Sequence, residues 1–239
     1  MADFTSKLLR KEEIAEGTMA FYVEKPQDFS FTSGQHATFQ ILQPKETDEE
    51  GDSRTFSFIT VPSDNEVGFA TRMRDTAFKR NLKNAPEGME IAIKNPRGSL
   101  VLPTEVKRSL VMLAGGIGIT PLISMIREAS LQKSQQKITL FYANRTIAQT
   151  AFYTQLEQLT KENPNFRFIP VMTQEDPSLW KGETGHVTKE LVQKYISDTD
   201  NTLFYLAGTT GMVSAMTQLL SDAGIDSLFI KSEDYGEYK

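Results

Sequence analysis

An antiparallel β-barrel followed by a parallel α/β unit is the fold class that this 239-residue sequence predicts. Three observations carry that reading. Up to about residue 102 the apolar residues fall in short, β-rich runs separated by turn residues, the pattern of a sandwich or a small barrel. From about residue 103 strand-length apolar runs alternate with helical stretches, which argues for a parallel sheet covered on both faces. At the head of this second part, an apolar run meets a glycine cluster and then a helical pattern, Leu110-Val111-Met112-Leu113-Ala114-Gly115-Gly116-Ile117-Gly118-Ile119-Thr120-Pro121.

In the first part the strand runs are 4–14, 18–24, 36–42, 54–60, 67–72, 89–94 and 99–102, with Gly17, Gly34, Gly51, Pro62, Gly88 and Pro96-Arg97-Gly98 between them. One helix interrupts them at 76–84, where Asp75 or Thr76 is the candidate cap. Residues 44–52 (Pro-Lys-Glu-Thr-Asp-Glu-Glu-Gly-Asp) form an acidic stretch, read as a solvated hairpin connection in preference to a docking surface.

In the second part, strand 109–114 leads into helix 120–130, and strand 137–143 into helix 150–161. Strand 166–173 precedes helix 188–195, strand 202–207 precedes helix 211–222, and 227–231 closes the set. Gly115, Gly116 and Gly118 lack a Cβ, so the turn is free to take unusual backbone angles and let a phosphate approach. Pro121 fits the first turn of a helix. The unpaired N–H groups there, with the macrodipole behind them, attract a pyrophosphate. Gly-x-Gly-x-x-Pro departs from the usual Gly-x-Gly-x-x-Gly, and a ligand-free packing turn is the competing account. Ligands of parallel sheets sit outside the carboxyl ends of the strands, where 115–121, Asn144-Arg145 and Gly208-Thr209 all fall.

Composition narrows the function classes. Hydrophobic residues make up 39% and charged residues 24% of the chain, with a net charge of −5, as expected of a globular protein without a nucleic-acid surface. The absence of cysteine removes disulfides, thiolate nucleophiles and Cys-held zinc or iron–sulfur clusters. The N-terminus lacks the apolar core of a signal peptide and no segment approaches membrane-spanning length, so the expected location is cytoplasmic. Two lone histidines make a poor metal site, and no metal is expected. His36 reads as a packed strand residue, His186 as part of a loop and Trp180 as structural.

Two further stretches carry candidate chemistry. Arg54-Thr55-Phe56-Ser57 lies in a strand run, with Arg54 and Phe56 pointing one way and Ser57 the other. A cation, an aromatic face and a hydroxyl suit a flavin: charge for phosphates, a surface to stack on, a hydrogen bond at N5. An ordinary strand with an exposed arginine is the competing account. Arg72-Met73-Arg74-Asp75-Thr76-Ala77-Phe78-Lys79 surrounds a helix start with cations and a hydroxyl, which suits a pyrophosphate; a capped surface helix competes.

These stretches, with Asn144-Arg145-Thr146, Ala207-Gly208-Thr209-Thr210-Gly211-Met212 and Glu233-Asp234-Tyr235, come in the order of the ferredoxin–NADP reductase superfamily, and nearly the whole chain resembles its compact bacterial FAD-binding oxidoreductases. The resemblance implies a flavin-binding antiparallel β-barrel domain, 1–102, and an NAD(P)-binding α/β domain with a five-stranded parallel sheet, 103–239. It implies that Arg54 and Thr55 contact the flavin and its phosphates, that Phe56 replaces a stacking tyrosine, and that Ser57 faces N5. Asp75, Thr76, Ala77, Phe78 and Lys79 would surround the FAD pyrophosphate, and Thr71 and Arg72 would line the flavin and the approaching dinucleotide. Gly115, Gly116, Gly118, Thr120 and Pro121 would shape the nicotinamide cleft, with Gly208, Thr209 and Met212 opposite. Asn144 and Arg145 would lie near the adenosine end, and Glu233 and Tyr235 near the flavin. Ser57, Thr120 and Tyr235 are the implied catalytic residues. Three departures stand out: Phe56 for tyrosine, Ala207 where many relatives have cysteine, and Thr209 for the usual proline.

The activity so implied is hydride transfer from NADPH or NADH to bound FAD, then electron transfer to an external ferredoxin, flavodoxin or small-molecule acceptor, with no nucleic-acid partner and no membrane insertion. Arg145 predicts a preference for NADPH. Two other readings stay open: an NAD(P)H-dependent free-flavin reductase, and a non-catalytic redox-sensing or electron-input flavoprotein subunit.

Overall fold

The computed structural model describes residues 4–236. Its first part contains β1 (Phe4–Ala15), β2 (Thr18–Glu24), β3 (His36–Ile41), β4 (Ser53–Ser57), β5 (Glu66–Arg72), α1 (Ala77–Asn84) and β6 (Glu90–Ile93). The six strands form one antiparallel sheet in the order β4-β3-β6-β1-β2-β5. The two outer strands curl back towards each other: Phe58 bridges Phe69, and the Ile59 N–H donates to the Gly68 carbonyl at 2.9 Å. A barrel results, filled by Phe21, Phe39, Phe58 and Phe69, with Phe78 and Leu82 of α1 plugging one end. Pairing across this seam stops at the Phe58–Phe69 bridge. Beyond it β4 and β5 separate, and the gap between them is the first groove described below.

The second part contains β7 (Ser109–Gly115), α2 (Ile119–Leu131), β8 (Ile138–Asn144), α3 (Tyr153–Glu162), β9 (Phe166–Met172), β10 (Glu183–Thr184), α4 (Lys189–Tyr195), β11 (Thr202–Gly208), α5 (Thr210–Asp222) and β12 (Ile230–Asp234). Its sheet is parallel throughout, in the order β10-β9-β8-β7-β11-β12. Strand β7 has β8 on one side and β11 on the other, so the direction of winding reverses at its carboxyl end, the usual ligand position in such sheets. One core lies beneath α2 and α3, the other beneath α4 and α5.

Three differences from the sequence reading have physical causes. The parallel sheet has six strands, not five, because Glu183 and Thr184 pair with Val171 and Met172; two residues are too few to show a periodicity. Residues 99–102 are an extended connector, not a strand: the Val101 carbonyl accepts from the Tyr205 hydroxyl at 2.8 Å, and Leu100 is buried in the core under α2. Helix α3 starts at Tyr153, not 150, because Phe152 takes a left-handed conformation (φ 61°).

The two parts share a core. Ala20, Tyr22 and Ala70 on the outside of the barrel pack in one cluster with Leu122, Ile123, Met125 and Ile126 of α2. Burial of each such aliphatic side chain contributes on the order of 1.5–3 kcal/mol. Polar contacts fix the register: Ser124 Oγ donates to the Thr60 carbonyl at 2.7 Å, and Arg127 donates to the Ile59 carbonyl at 2.9 Å while pairing with Asp64 at 3.0 Å. Helix α2 is thereby held against the barrel, and the glycine turn at its start is placed beside β5. No helix among the described residues is long and apolar enough to cross a membrane.

Candidate functional site

The first groove, about 360 Å³, is lined by Arg54, Thr55, Phe56 and Ser57 of β4, by Ala70 and Thr71 of β5, by Glu50, Arg74, Thr76 and Lys79, and by Ile117, Thr120 and Tyr235 of the second part. One end is cationic. Thr76 caps α1 by accepting from the Lys79 N–H. Asp75, the other candidate cap, instead pairs with Arg80 on the exposed side and does not line the groove. Lys79 Nζ donates to the Arg72 carbonyl at 2.7 Å; burial, reinforced by the charges of Arg74 and Arg54, pushes its ammonium down to about 8. Arg54 lies over the Phe78 ring and donates to the Glu50 carboxylate at 2.6 Å. Ala77 and Phe78 turn their side chains into the barrel core, which leaves Ala77 its backbone N–H as a possible contact.

The other end is a chain of hydroxyls and a carboxylate. Ser57 Oγ lies 3.2 Å from Glu233 Oε1 and 3.0 Å from the Tyr235 hydroxyl. Thr120, whose Oγ1 donates to the Ile117 carbonyl, also reaches the Tyr235 hydroxyl. Burial, followed by the charge of Glu233, pushes the Tyr235 phenol well above its ordinary value. Its ring remains partly exposed while the hydroxyl is enclosed. The Tyr235 N–H donates to the Gly208 carbonyl, and Thr210 donates to Asp234 at 2.8 Å, so the segment after β12 is carried across to the barrel. Phe56 stacks on Phe69 with centroids 4.7 Å apart, which fixes its ring as one wall.

Sequence reasoning missed His36. It is paired with Ser57 in the β3–β4 register, and its Nδ1 lies 3.4 Å from Glu233 Oε1. Only the strand register reveals this, and no local pattern in the sequence encodes it.

The second groove, about 570 Å³, is lined by Arg72, Gly115, Gly116, Ala143, Asn144, Arg145, Thr173, His186, Val187, Thr209, Met212, Ala215 and Met216. The glycines there differ in purpose. Gly116 has φ 53° and open space where a Cβ would stand. A Cβ on Gly118 would lie 2.1 Å from the Ala207 carbonyl oxygen, so Gly118 permits close packing of the turn on β11 and does not line the groove. Gly115 and Gly208 are backed by the Met212 sulfur. Pro121 is buried in the first turn of α2, outside both grooves. Thr209 has a clear structural role, capping α5 by accepting from the Met212 N–H. Asn144 is buried, and its Nδ2 has no hydrogen-bond partner, as a group awaiting a ligand acceptor would be. Arg145 stands exposed at the rim. His186, Thr173 and Met216 join this groove without having been expected there; the short β10 pairing brings His186 in.

The grooves adjoin. Neighbours Thr71 and Arg72 line one each, as do Ile117 and Gly116. A third cleft of about 480 Å³ lies elsewhere between barrel and α2, but its charged groups pair with one another, Arg10 with Glu66 and Arg127 with Asp64. Among the described residues no group of three or more His, Asp or Glu is arranged to hold a metal ion.

Residues 112–218 match the model of the oxidoreductase NAD-binding domain. One component of the Na(+)-translocating NADH-quinone reductase of Methylococcus capsulatus is 28% identical over 158 residues, 64% of this chain and 39% of that protein. NADH-cytochrome b5 reductase 1 of Aspergillus terreus is 26% identical over 93% of this chain and 79% of its own length. The chain thus spans well under half of the first relative and about four-fifths of the second. A ferredoxin NADP+ reductase from Neisseria gonorrhoeae with bound FAD and NADP superposes with a TM-score of 0.81 at 20% identity, covering 98% of this chain and 99% of that one.

Proposed function

Residues 112–218 match the oxidoreductase NAD-binding domain, and we propose that this chain is a member of the ferredoxin–NADP reductase superfamily, an NAD(P)H-dependent FAD-containing reductase that passes electrons to an external acceptor. The observation that carries this is the meeting of the two grooves at Thr71–Arg72 and Gly116–Ile117. The division at residues 102 and 103 follows as a proposal: barrel for the flavin, parallel sheet for the dinucleotide.

The residues present fit both groups. For a flavin dinucleotide, the first groove offers cations and a helix N-terminus at one end, an aromatic wall, and buried hydroxyls at the other. For a nicotinamide dinucleotide, the second offers open backbone at Gly116 and the unpartnered amide of Asn144. Bound flavin supplies the ring that accepts a hydride and releases electrons singly, chemistry no side chain here performs.

The protein's part is positioning and electrostatics. Arg54, Lys79 and the α1 start would hold the phosphates, with Arg74 and Thr76 beside them. Phe56 would hold the ring plane and Ser57 its N5 edge. Glu233, 3.2 Å from Ser57 Oγ and 3.4 Å from His36 Nδ1, would orient the Ser57 hydroxyl towards the N5 edge. Tyr235 would yield to the nicotinamide, since its ring lies in the first groove between Ser57 and Thr120. Arg145, near the adenosine end, would favour NADPH. The acceptor is a ferredoxin, a flavodoxin or a small molecule, and the location cytoplasmic.

The test is an anaerobic absorbance spectrum of the purified protein, with FAD supplied if needed, before and after NAD(P)H. The expected result is a flavin spectrum that bleaches with the nucleotide and returns with ferricyanide. Failure to bind any flavin would remove the proposal. A second reading, flavin as an exchangeable substrate, is favoured by the Glu50 carboxylate on Arg54 and the Asp48 carboxylate on the Ala77 N–H at the cationic end of the first groove.

A further inference from the structure

The acidic stretch 44–52 is the exposed connection of the β3–β4 hairpin, as expected, and it also makes specific contacts. Its first residues are clamped to α1: the Lys45 N–H donates to Asn81 Oδ1 at 2.9 Å, Asn81 Nδ2 donates to the Glu46 carbonyl at 2.7 Å, and Arg80 pairs with the Glu46 carboxylate at 2.7 Å. The clamp carries the following residues over the helix start. There the Ala77 N–H donates to Asp48 Oδ2 at 2.8 Å, Asp48 Oδ1 lies 3.8 Å from Arg54, and Glu50 Oε2 lies 2.6 Å from the same guanidinium. Two carboxylates therefore sit on the helix N–H and the arginine that would hold a flavin phosphate. Their oxygens stand in for phosphate oxygens.

We propose that Asp48 and Glu50 are intramolecular competitors for the flavin's phosphates, so that flavin is held exchangeably and binds by displacing them. This rests on the flavin reading of the groove given above. Two facts make displacement feasible. The Glu50 side chain is 66% exposed, so its ion pair is screened and weakly held. Phosphate oxygens accept from guanidinium and from helix N–H groups with greater charge than a carboxylate brings. Arg54 also donates to the Glu50, Gly51 and Ser53 carbonyls at 2.8, 3.2 and 2.7 Å, so the two carboxylates can leave while these carbonyls keep the guanidinium and the stretch in place.

The competing account, in which the two carboxylates serve only to order the stretch, makes the opposite forecast. Removing their charge then leaves flavin binding unchanged or weaker.

The experiment is a fluorescence titration of the full chain and of the Asp48→Asn/Glu50→Gln variant with riboflavin, FMN and FAD. Asparagine keeps an oxygen for the helix cap, and a thermal unfolding curve confirms that the variant folds. The expected result is a Kd for FMN and FAD about tenfold lower in the variant, with riboflavin, which lacks phosphate, unchanged. Glu50→Gln alone gives a smaller shift in the same direction. An unchanged or raised Kd for FMN and FAD overturns the proposal, as does an equal gain for riboflavin. Binding of none of the three flavins by either protein overturns the flavin reading itself, and this proposal with it.

Discussion

The two grooves are built on different principles. In the first, the main polar groups near the proposed phosphate and N5 ends already have protein partners: Arg54 has Glu50, the α1 start has Asp48, Ser57 has Glu233 and Tyr235. In the second, the walls are glycine, alanine and methionine, a buried amide lacks a partner, and charge is confined to the rim at Arg145 and to Arg72. Ligand binding in the first groove exchanges one set of partners for another, so affinity is a small difference between two large terms. Binding in the second adds partners where there were few. Substitutions should accordingly act on rate and retention in the first groove and on the choice of nucleotide in the second.

The sharpest way to break this comparison is Ser57→Ala. If Ser57 serves the reacting edge, the rate of flavin reduction by NAD(P)H, followed by stopped flow, falls by about a hundredfold while flavin Kd changes little. A normal rate would remove Ser57 from the mechanism and leave its bonds to Glu233 and Tyr235 as packing. Next in size is Arg54→Ala. Charged hydrogen bonds of this kind contribute about 1.5–3 kcal/mol, but loss of Arg54 also frees Glu50, so a rise of about tenfold in the Kd for FAD is expected, with riboflavin hardly altered. Equal loss for both flavins would mean that Arg54 organises the barrel seam and does not touch phosphate.

In the second groove, Arg145→Ala is expected to lower kcat/KM for NADPH relative to NADH by roughly five- to tenfold, the scale of one exposed charge-assisted contact. An unchanged ratio would show that Arg145 does not read the 2′-phosphate. His186, across the same groove, would then be the next side chain to test.

The sequence exposes what is local and hides what depends on register. The strand–turn–helix of 110–131 and the cap at Thr76 are visible because turn and helix chemistry act within a few residues. His36 beside Ser57, Tyr235 across from Thr120, and Asp48 on the start of α1 are contacts between segments far apart in the chain. Each follows from a strand pairing or a clamp that no window of the sequence contains. Gly118 is legible as a special residue, and the structure adds a packing reason: a Cβ there would lie 2.1 Å from the Ala207 carbonyl oxygen. The acidic stretch 44–52 is legible as the exposed β3–β4 connection, but charge patterning says nothing of which cation lies within its reach.

The smallest expected effect tests the same exchange of partners through pH. Burial, with Arg74 and Arg54 nearby, holds the Lys79 ammonium at about 8, below its ordinary value. In the folded protein its positive charge is thus disfavoured, and that cost to stability is present below pH 8 and relieved as pH rises from there towards the ordinary lysine range. A flavin phosphate alongside reverses the balance, since an anion favours the charged form. Binding of FMN therefore takes up protons above pH 8, and its affinity falls as pH rises through that value. Because Lys79 shares the site with Arg54 and the helix start, the fall between pH 7 and pH 9 should be about threefold, not the full tenfold per unit of an obligatory proton. Riboflavin, titrated in parallel, corrects for ionisation of the ring system common to both flavins. In Lys79→Met the FMN slope should flatten to that of riboflavin. An undiminished slope in that variant would place the titrating group elsewhere and leave Lys79 as no more than a clasp on the Arg72 carbonyl.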